Sequence, residues 1–166
     1  IIAEDGDAEE VEIYLGKKKA TFRIDTTEIV LRLMEGEYIK YRDIMPTQST
    51  TDIVIGRAIL QESIERASLL AREGKNNLIK MTIKNNLLTI TSRSEEGNVK
   101  EEIIMEKEGE DLEIGFNSKF VIDVLKVIDD DEISMHFLTG TSPCMVKPVS
   151  GDAYEYLILP VRIPTM

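Results

Sequence analysis

The order of strand and helix patterns repeats once along residues 49–163. The first unit contains a strand, a helix and three strands, at 49–55, 56–73, 77–84, 86–93 and 98–106. The second unit follows a break at 109–111 and keeps that order, at 111–116, 118–128, 132–139, 143–148 and 154–162. The pattern predicts an α+β fold in which tandem β-α-β-β-β units place two helices against antiparallel sheets.

The segment before this repeat has no helical pattern. It contains three alternating stretches, at 10–16, 19–25 and 27–34, and then a linker at 36–46 with several aromatic and charged residues. Because three strands alone have little surface on which to bury an apolar face, this segment requires a helix layer that the chain does not carry. We interpret it as the last three strands of a partial unit. Since the chain begins at Ile1 without a Met, we expect a fragment of a longer protein.

The chain is acidic, with a formal net charge of −11. Domains that grip DNA by neutralising many phosphates are basic, so the charge argues against that class. It does not exclude a ring that encloses DNA, because topology then retains the duplex. A single Cys argues against a disulfide framework, and no apolar run approaches the roughly 18 residues that cross a bilayer. We therefore expect a cytoplasmic protein without membrane contact.

The sequence offers no credible active site and indicates no metal or cofactor. A zinc site needs more ligands than the single His136 and the single Cys144 provide. The acidic run 129–132 lacks the basic phosphate clamp of a two-metal site, and we interpret it as a solvated turn. One catalytic alternative is a small hydrolase or transferase that uses Cys144 and His136. It requires the two side chains to lie within hydrogen-bond reach.

The C-terminal stretch Tyr154–Ile163 has the composition of a strand and follows turn residues. Pro160 cannot donate a hydrogen bond to a neighbouring strand, so it belongs at an edge or an end. A strand end with Pro160, Arg162 and apolar neighbours predicts a docking edge for another molecule. The alternative is a last core strand with frayed ends, whose alternate side chains face the core.

Helical phasing assigns a buried and an outward face to each predicted helix. The second helix is predicted to bury Phe120, Val121, Val124, Leu125 and Ile128. The outward residues are Arg57, Gln61, Glu65, Ser68 and Arg72 on the first helix and Lys119 and Lys126 on the second. Leu69 lies on the polar side of the first helix, which indicates either a single exposed Leu or a subunit contact.

Four stretches, taken in their order along the chain, resemble one known family. Their sequences are GEYIKYRDIMP (36–46), RASLLA (66–71), EIGFN (113–117) and LILPVRI (157–163). They resemble, in turn, a connector between two domains, the end of one helix, the entry to the last helix, and the C-terminal ending. The family is the bacterial sliding clamp, the beta subunit of DNA polymerase III, and the resemblance covers nearly the whole chain.

The resemblance implies a DNA-clamp fold. Residues 1–46 would be the C-terminal half of the second clamp domain with the connector, and residues 47–166 the third domain. Full-length members form head-to-tail homodimeric rings around duplex DNA and tether polymerases without catalysis. The implied partners are duplex DNA, the replicative polymerase, the clamp loader and other clamp-motif proteins. Leu69 and Leu70 match the ring contact, and our phasing adds five residues as DNA-facing, namely Arg57, Gln61, Arg72, Lys119 and Lys126.

Family members also bind short peptide motifs in a hydrophobic pocket between the second and third domains. The positions that match its third-domain wall are Asn117, Phe120, Ser142, Cys144, Leu157, Leu159, Pro160, Val161, Arg162 and Ile163. The connector side matches Ile39, Asp43 and Ile44. Pro and Arg are familiar where this chain has Ile39 and Asp43, so the charge at that rim differs. A remaining alternative is a generic β-rich module that binds peptides of other proteins.

Overall fold

The structure is a computed structural model that describes residues 10–71 and 77–163. The chain divides into two compact units, Ile1–Lys40 and Tyr41–Met166. The shorter unit contains an antiparallel sheet in the order β1-β2-β3. Its strands are Glu12–Leu15, Lys19–Ile24 and Thr27–Arg32. The three strands predicted for this segment are confirmed.

One face of this three-stranded sheet is apolar. Residues directly opposite in the register share a face, as do residues two apart on one strand. The apolar side chains on this face are Ile13, Leu15, Ala20, Phe22, Ile24, Ile29 and Leu31. Leu15 is 76% exposed, and Ile13 and Leu31 are also exposed. Ala20 and Ile24 are buried, so part of this apolar face is covered and part is not.

The longer unit begins with a short 3-10 helix, Tyr41–Asp43. The first repeat consists of β4 Thr51–Gly56, α1 Arg57–Ala71, β5 Leu78–Lys84, β6 Leu87–Ser94 and β7 Gly97–Ile104, followed by β8 Glu106–Gly109. The second consists of β9 Leu112–Asn117, α2 Ser118–Leu125, β10 Glu132–Phe137, β11 Cys144–Pro148 and β12 Tyr156–Ile158. The predicted β-α-β-β-β order is confirmed in both repeats.

Each sheet of the longer unit combines strands from both repeats. One has the order β7-β6-β5-β9 and the other the order β12-β11-β10-β4-β8, with antiparallel pairing throughout. The first strand of each repeat thus pairs with the strand that follows the helix of the other repeat. This exchange joins the repeats, and the second repeat reproduces the topology of the first.

A single apolar core joins both sheets to both helices. Helix α1 contacts α2 and strands β4 to β7, whereas α2 contacts β9 and β12. The largest fully buried side chains of this core include Phe116, Phe137, Leu60 and Ile64. The Ser92 hydroxyl donates to the Ala67 carbonyl oxygen at 2.7 Å and so links β6 to α1. Among the described residues, no buried side-chain nitrogen or oxygen lacks a hydrogen-bond partner.

Two helix residues differ from their predicted burial. Ser68, predicted to face outward, is buried, and its hydroxyl donates to the Glu65 carbonyl oxygen at 2.7 Å. Such a bond within the helix satisfies a buried hydroxyl, which periodicity does not register. Phe120, predicted to be buried, is 54% exposed. Helix α2 ends at Leu125, earlier than predicted, and buries the face that carries Ser118, Val121, Ile122 and Leu125.

Two predicted strands are divided or shortened. The stretch 98–106 divides at Met105, whose N–H donates to the Asn86 carbonyl oxygen at 3.1 Å, so that β7 and β8 lie in different sheets. The C-terminal stretch pairs with β11 only over Tyr156–Ile158. Pro160 follows the end of this pairing, as predicted. The Val161 N–H then donates to the Gly115 carbonyl oxygen of β9 at 2.8 Å, which attaches the chain end to the other sheet.

An ion pair fixes α1 to the edge strand β7. Arg66 Nη2 lies 2.8 Å from Glu101 Oε2 and 3.0 Å from Ser63 Oγ. The hydrogen bond from Arg66 holds the pKa of Glu101 below its usual range. A lowered carboxyl pKa contributes stability above the ordinary pKa, and this contribution is lost as the pH falls through the lowered value.

Candidate functional site

A depression with a volume of about 350 Å³ lies beside the start of the longer unit. Its lining residues are Asp43, Ile44, Met45, Pro46, Thr47, Gln48, Leu138, Ser142 and Pro143. Five of these side chains are apolar, three are neutral and polar, and one carries a charge. A shallow surface that combines apolar and polar groups can receive an extended or turned peptide.

One wall of the depression is formed by the chain that follows the 3-10 helix. The Ile44 and Met45 N–H groups donate to the Tyr41 carbonyl oxygen at 3.1 and 3.2 Å. Pro46 then restricts the backbone, because its ring fixes φ. These bonds hold Asp43 and Ile44 in place at the start of the wall.

The opposite wall is the connection between β10 and β11. Thr139 Oγ1 accepts a hydrogen bond from the Ser142 N–H at 3.1 Å and lies 2.7 Å from Ser142 Oγ. A side chain at Gly140 would collide with the carbonyl oxygen of Glu113 on β9. Glycine therefore lets this connection, which carries Leu138 and Ser142, pack closely on the backbone of β9 in the other sheet.

Three residues of the predicted pocket line this depression, namely Asp43, Ile44 and Ser142. Sequence reasoning missed Met45, Pro46, Thr47, Gln48, Leu138 and Pro143. Pro46 and Pro143 were the available signals, since each marks a break beside a predicted strand. The peptide-binding role of the whole set stays a prediction.

The other predicted pocket residues lie elsewhere. Asn117 caps α2, since its Oδ1 accepts from the Lys119 N–H at 3.0 Å. Cys144 is fully buried, so its side chain lies in the core and not on a peptide-facing surface. Phe120, Leu159, Arg162 and Ile163 are exposed, whereas Leu157, Pro160 and Val161 are half-buried. Ile39 is an exposed residue of the shorter unit.

The catalytic alternative fails because Cys144 and His136 lie on opposite faces of the five-stranded sheet. His136 is directly opposite Met145 in the register, and Cys144 is the neighbour of Met145 on β11. Successive side chains of a strand point to opposite faces, so the thiol points away from the imidazole. Burial also raises the pKa of the Cys144 thiol, which disfavours the thiolate.

His136 instead joins a hydrogen-bonded row on the outer face. Its Nδ1 lies 2.6 Å from Asp52 Oδ1 and its Nε2 lies 3.1 Å from Ser134 Oγ. The order resembles a Ser-His-Asp triad. However, Ser134 is buried, and its hydroxyl lies 3.2 Å from the carbonyl oxygens of Lys147 and Pro148. The carbonyl groups of β11 therefore hold the Ser134 hydroxyl, which is not available as a nucleophile. The hydrogen-bonded row connects β4, β10 and β11.

The single thiol gives a direct test of this assignment. We expect a thiol reagent to leave Cys144 unmodified in the native chain while it labels the chain fully in denaturant, because the side chain is buried and its pKa is raised. The measurement is the absorbance of the released chromophore over time. Rapid labelling without denaturant would contradict the core position of Cys144.

Among the described residues, no three His, Cys, Asp or Glu side chains come together as a metal site requires. Within the same ranges, neither helix has the length and the apolar content to span a bilayer.

A family model described as the C-terminal domain of the DNA polymerase III beta subunit matches residues 42–162, which are more than half of the chain. The chain belongs to the DNA polymerase III beta subunit family. The depression, the two helices and both large sheets all fall within this matched range.

Three relatives illustrate the match to beta subunits. The beta sliding clamp of Staphylococcus epidermidis is 39% identical over 163 residues, which are 97% of this chain and 43% of that protein. The sliding clamp from Bacillus subtilis is 34% identical with a TM-score of 0.83, over 93% of this chain and 41% of that one. The sliding clamp from Pseudomonas aeruginosa bound to griselimycin is 27% identical with a TM-score of 0.84, over 98% and 44%. The chain thus spans less than half of the length of these relatives.

The remaining predicted residues are the two ring-contact residues implied by the resemblance and the five DNA-facing residues assigned by helical phasing. Leu69 is 64% exposed and Leu70 is half-buried. Lys119 and Lys126 are exposed. Arg57 is engaged within the fold, since its Nε donates to the Asp130 carbonyl oxygen at 3.0 Å and its Nη1 to Gln61 at 3.3 Å. Arg72 lies outside the described residues.

Proposed function

We propose that this chain is part of a DNA sliding clamp, the non-catalytic ring that tethers a replicative polymerase to duplex DNA. The family match over residues 42–162 carries the proposal. The fold agrees, since solved sliding clamps superpose with TM-scores of 0.83 and 0.84. The clamp would act in the cytoplasm, associated with the nucleoid.

Residues 1–46 would form the C-terminal half of the second clamp domain with the connector, and residues 47–166 the third domain. The apolar face of the β1-β2-β3 sheet supports this division, because Leu15 and its neighbours need a covering layer. The relatives' additional length would supply that layer and the rest of the ring.

Lys119 and Lys126 are the strongest candidates for DNA contact on the helices. Both are exposed, and neither has an ion-pair partner within residues 10–71 and 77–163. Arg57 and Gln61 are already bonded within the fold, so their contacts with phosphates would be weaker. The overall charge of −11 suits a clamp that slides, because few phosphates are neutralised.

The depression would receive the short motifs of polymerase, clamp loader and other clamp-binding proteins, with the exposed residues of the C-terminal segment as neighbouring contacts. Its apolar lining, formed by Ile44, Met45, Pro46, Leu138 and Pro143, supports this role. Griselimycin, which the Pseudomonas aeruginosa clamp binds, is a second probe for this chain.

Leu69 would form part of the ring-closing contact between two copies of the complete protein. Leu69 is 64% exposed on α1. This helix packs on β7, the edge strand of the four-stranded sheet. Ile104 at the end of β7 is 86% exposed. Edge strands readily pair with another chain. We expect Leu69→Lys to weaken the dimer at least about tenfold, because a buried Leu contributes about 1.5–3 kcal/mol. Analytical ultracentrifugation measures this.

Ile59→Lys provides the matched control, since Ile59 is a 49% exposed apolar residue on the same helix. It should leave the dimer unchanged. If Leu69→Lys dimerises as tightly as the wild type, the contact lies elsewhere.

The decisive experiment for the clamp proposal uses the complete protein and a clamp loader on nicked circular DNA. Gel filtration at high salt should retain the protein with the circle, because a topological link survives salt that disrupts phosphate contacts. Cutting the circle should release it. The 166-residue chain alone should not be retained, because it lacks more than half of the ring. Equal retention on circular and linear DNA would contradict the proposal.

A further inference from the structure

The lining of the depression carries one formal charge, the carboxylate of Asp43. The remaining eight lining residues are apolar or neutral. Asp43 is exposed and, within the described ranges, forms no ion pair. A peptide that covers the lining therefore meets a negative charge that no ion pair within the described ranges compensates.

Two charged residues have other partners: Arg42, next to Asp43 in the chain, and Glu113, on the strand against which Gly140 packs. The Arg42 guanidinium carbon lies 6.0 Å from the centroid of the Tyr41 ring, in a cation–π position. On the neighbouring strand β9, the Glu113 carboxylate is paired, since Lys80 Nζ and Thr82 Oγ1 both lie 3.0 Å from its Oε1. Glu113 therefore adds little to the local charge, and Asp43 stands as the charged group of the lining.

Hydrogen bonds hold the backbone around Asp43. Asp43 ends the 3-10 helix, and the Ile44 and Met45 N–H groups both bond to the Tyr41 carbonyl oxygen. A charge held on a fixed backbone selects ligands by sign, because a basic group gains an ion pair and an acidic group is repelled.

We propose that this depression selects peptides in which a Lys or Arg flanks the apolar motif, with Asp43 as the residue that determines the preference. The inference rests on the proposed function, because it names the chemistry of the peptides that the same site takes. An exposed ion pair contributes about 0.2–1 kcal/mol, which corresponds to a preference of about 1.4- to fivefold.

The overall charge of −11 also attracts basic peptides, so the test must separate a local from a global effect. Glu95→Gln is the matched control, since it removes one negative charge from the exposed turn between β6 and β7. That turn joins the two strands farthest from β9 in the order β7-β6-β5-β9, whereas Gly140 packs the depression against β9. Neighbouring strands are about 4.8 Å apart, so β6 lies two spacings from β9. This separation exceeds the roughly 8 Å beyond which physiological salt screens charges, so the charge of Glu95 has little effect at the depression.

The experiment measures fluorescence anisotropy with Gln-x-x-Leu-Phe-type peptides that carry Lys, Gln or Glu at the amino flank or at the carboxyl flank. In one of the two series, the wild type should bind the Lys peptide about 1.4- to fivefold more tightly than the Gln peptide, and the Glu peptide more weakly than the Gln peptide. Asp43→Asn should abolish this preference, Asp43→Lys should reverse it, and Glu95→Gln should preserve it.

Each outcome has a distinct meaning. Binding of all peptides with equal affinity overturns the selectivity and leaves the clamp proposal standing. A preference that persists in Asp43→Asn also overturns it, because the effect is then global. Binding of none of the peptides by the wild type overturns the peptide site of the proposed function, and the selectivity with it.

Discussion

Replacing Phe116 with Ala should lower the free energy of unfolding by about 3–5 kcal/mol, the largest effect of any substitution considered for this chain. Phe116 lies on β9, is fully buried, and belongs to the core that joins both sheets to both helices. The substitution removes the apolar contacts of the ring and leaves a cavity that the surrounding core fills only in part. Urea unfolding followed by circular dichroism measures the change.

Phe120→Ala is the matched control because it removes the same ring four residues away. Phe120 is 54% exposed on α2, so its loss should cost less than about 1 kcal/mol. Equal losses for the two variants would show that β9 does not occupy the centre of the core and would contradict the strand exchange between the repeats.

Replacing Gly109 with Ala should cost about 3 kcal/mol. Gly109 ends β8 with φ of +85°, opposite Thr51 on β4. A left-handed conformation costs a residue with a side chain about 1–2 kcal/mol. A Cβ would also collide with the carbonyl oxygen of Thr50, and forcing extra atoms into a packed site costs about 1–3 kcal/mol more. Thermal and urea unfolding measure the sum.

Gly151→Ala separates the cost of the left-handed backbone conformation from the cost of the steric collision. Gly151 has φ of +81°, and among the residues that the structure describes no atom outside its immediate neighbours lies within 4 Å of a Cβ built there. It should therefore lose only the conformational part, about 1–2 kcal/mol. If Gly109→Ala costs no more than Gly151→Ala, β8 is not packed against β4 as described.

The tandem repeat was predictable because local patterns determine it. Alternation over β5 and β6, the turn at Asn85 and Asn86, and the apolar spacing of α1 are all visible within short windows. The exchange of β4 and β9 between the sheets was not predictable, since it depends on pairing between residues far apart in the chain. Met105 illustrates this limit of sequence-based prediction. The chain changes sheets at this residue, but its apolar side chain fits the continuous strand pattern of 98–106.

The candidate site was predictable only in part for a similar reason. Asp43, Ile44 and Ser142 came from the family resemblance, and all three line the depression. Leu138 and Pro143 join them because the β10–β11 connection packs on β9 through Gly140, which is a tertiary contact. The burial of Cys144 follows from its place on the inner face of β11, and alternation alone does not reveal which face of a strand is inner.

We propose that this chain carries a peptide-docking site of the clamp type at residues 43–48 and 138–143. Nuclear magnetic resonance of the isotope-labelled 166-residue chain during titration with a Gln-x-x-Leu-Phe-type peptide tests this claim directly. We predict saturable shifts of the amide signals of Asp43, Ile44, Leu138 and Ser142. Shifts confined to other surfaces, such as the β6–β7 turn, or no shifts at all, would contradict it.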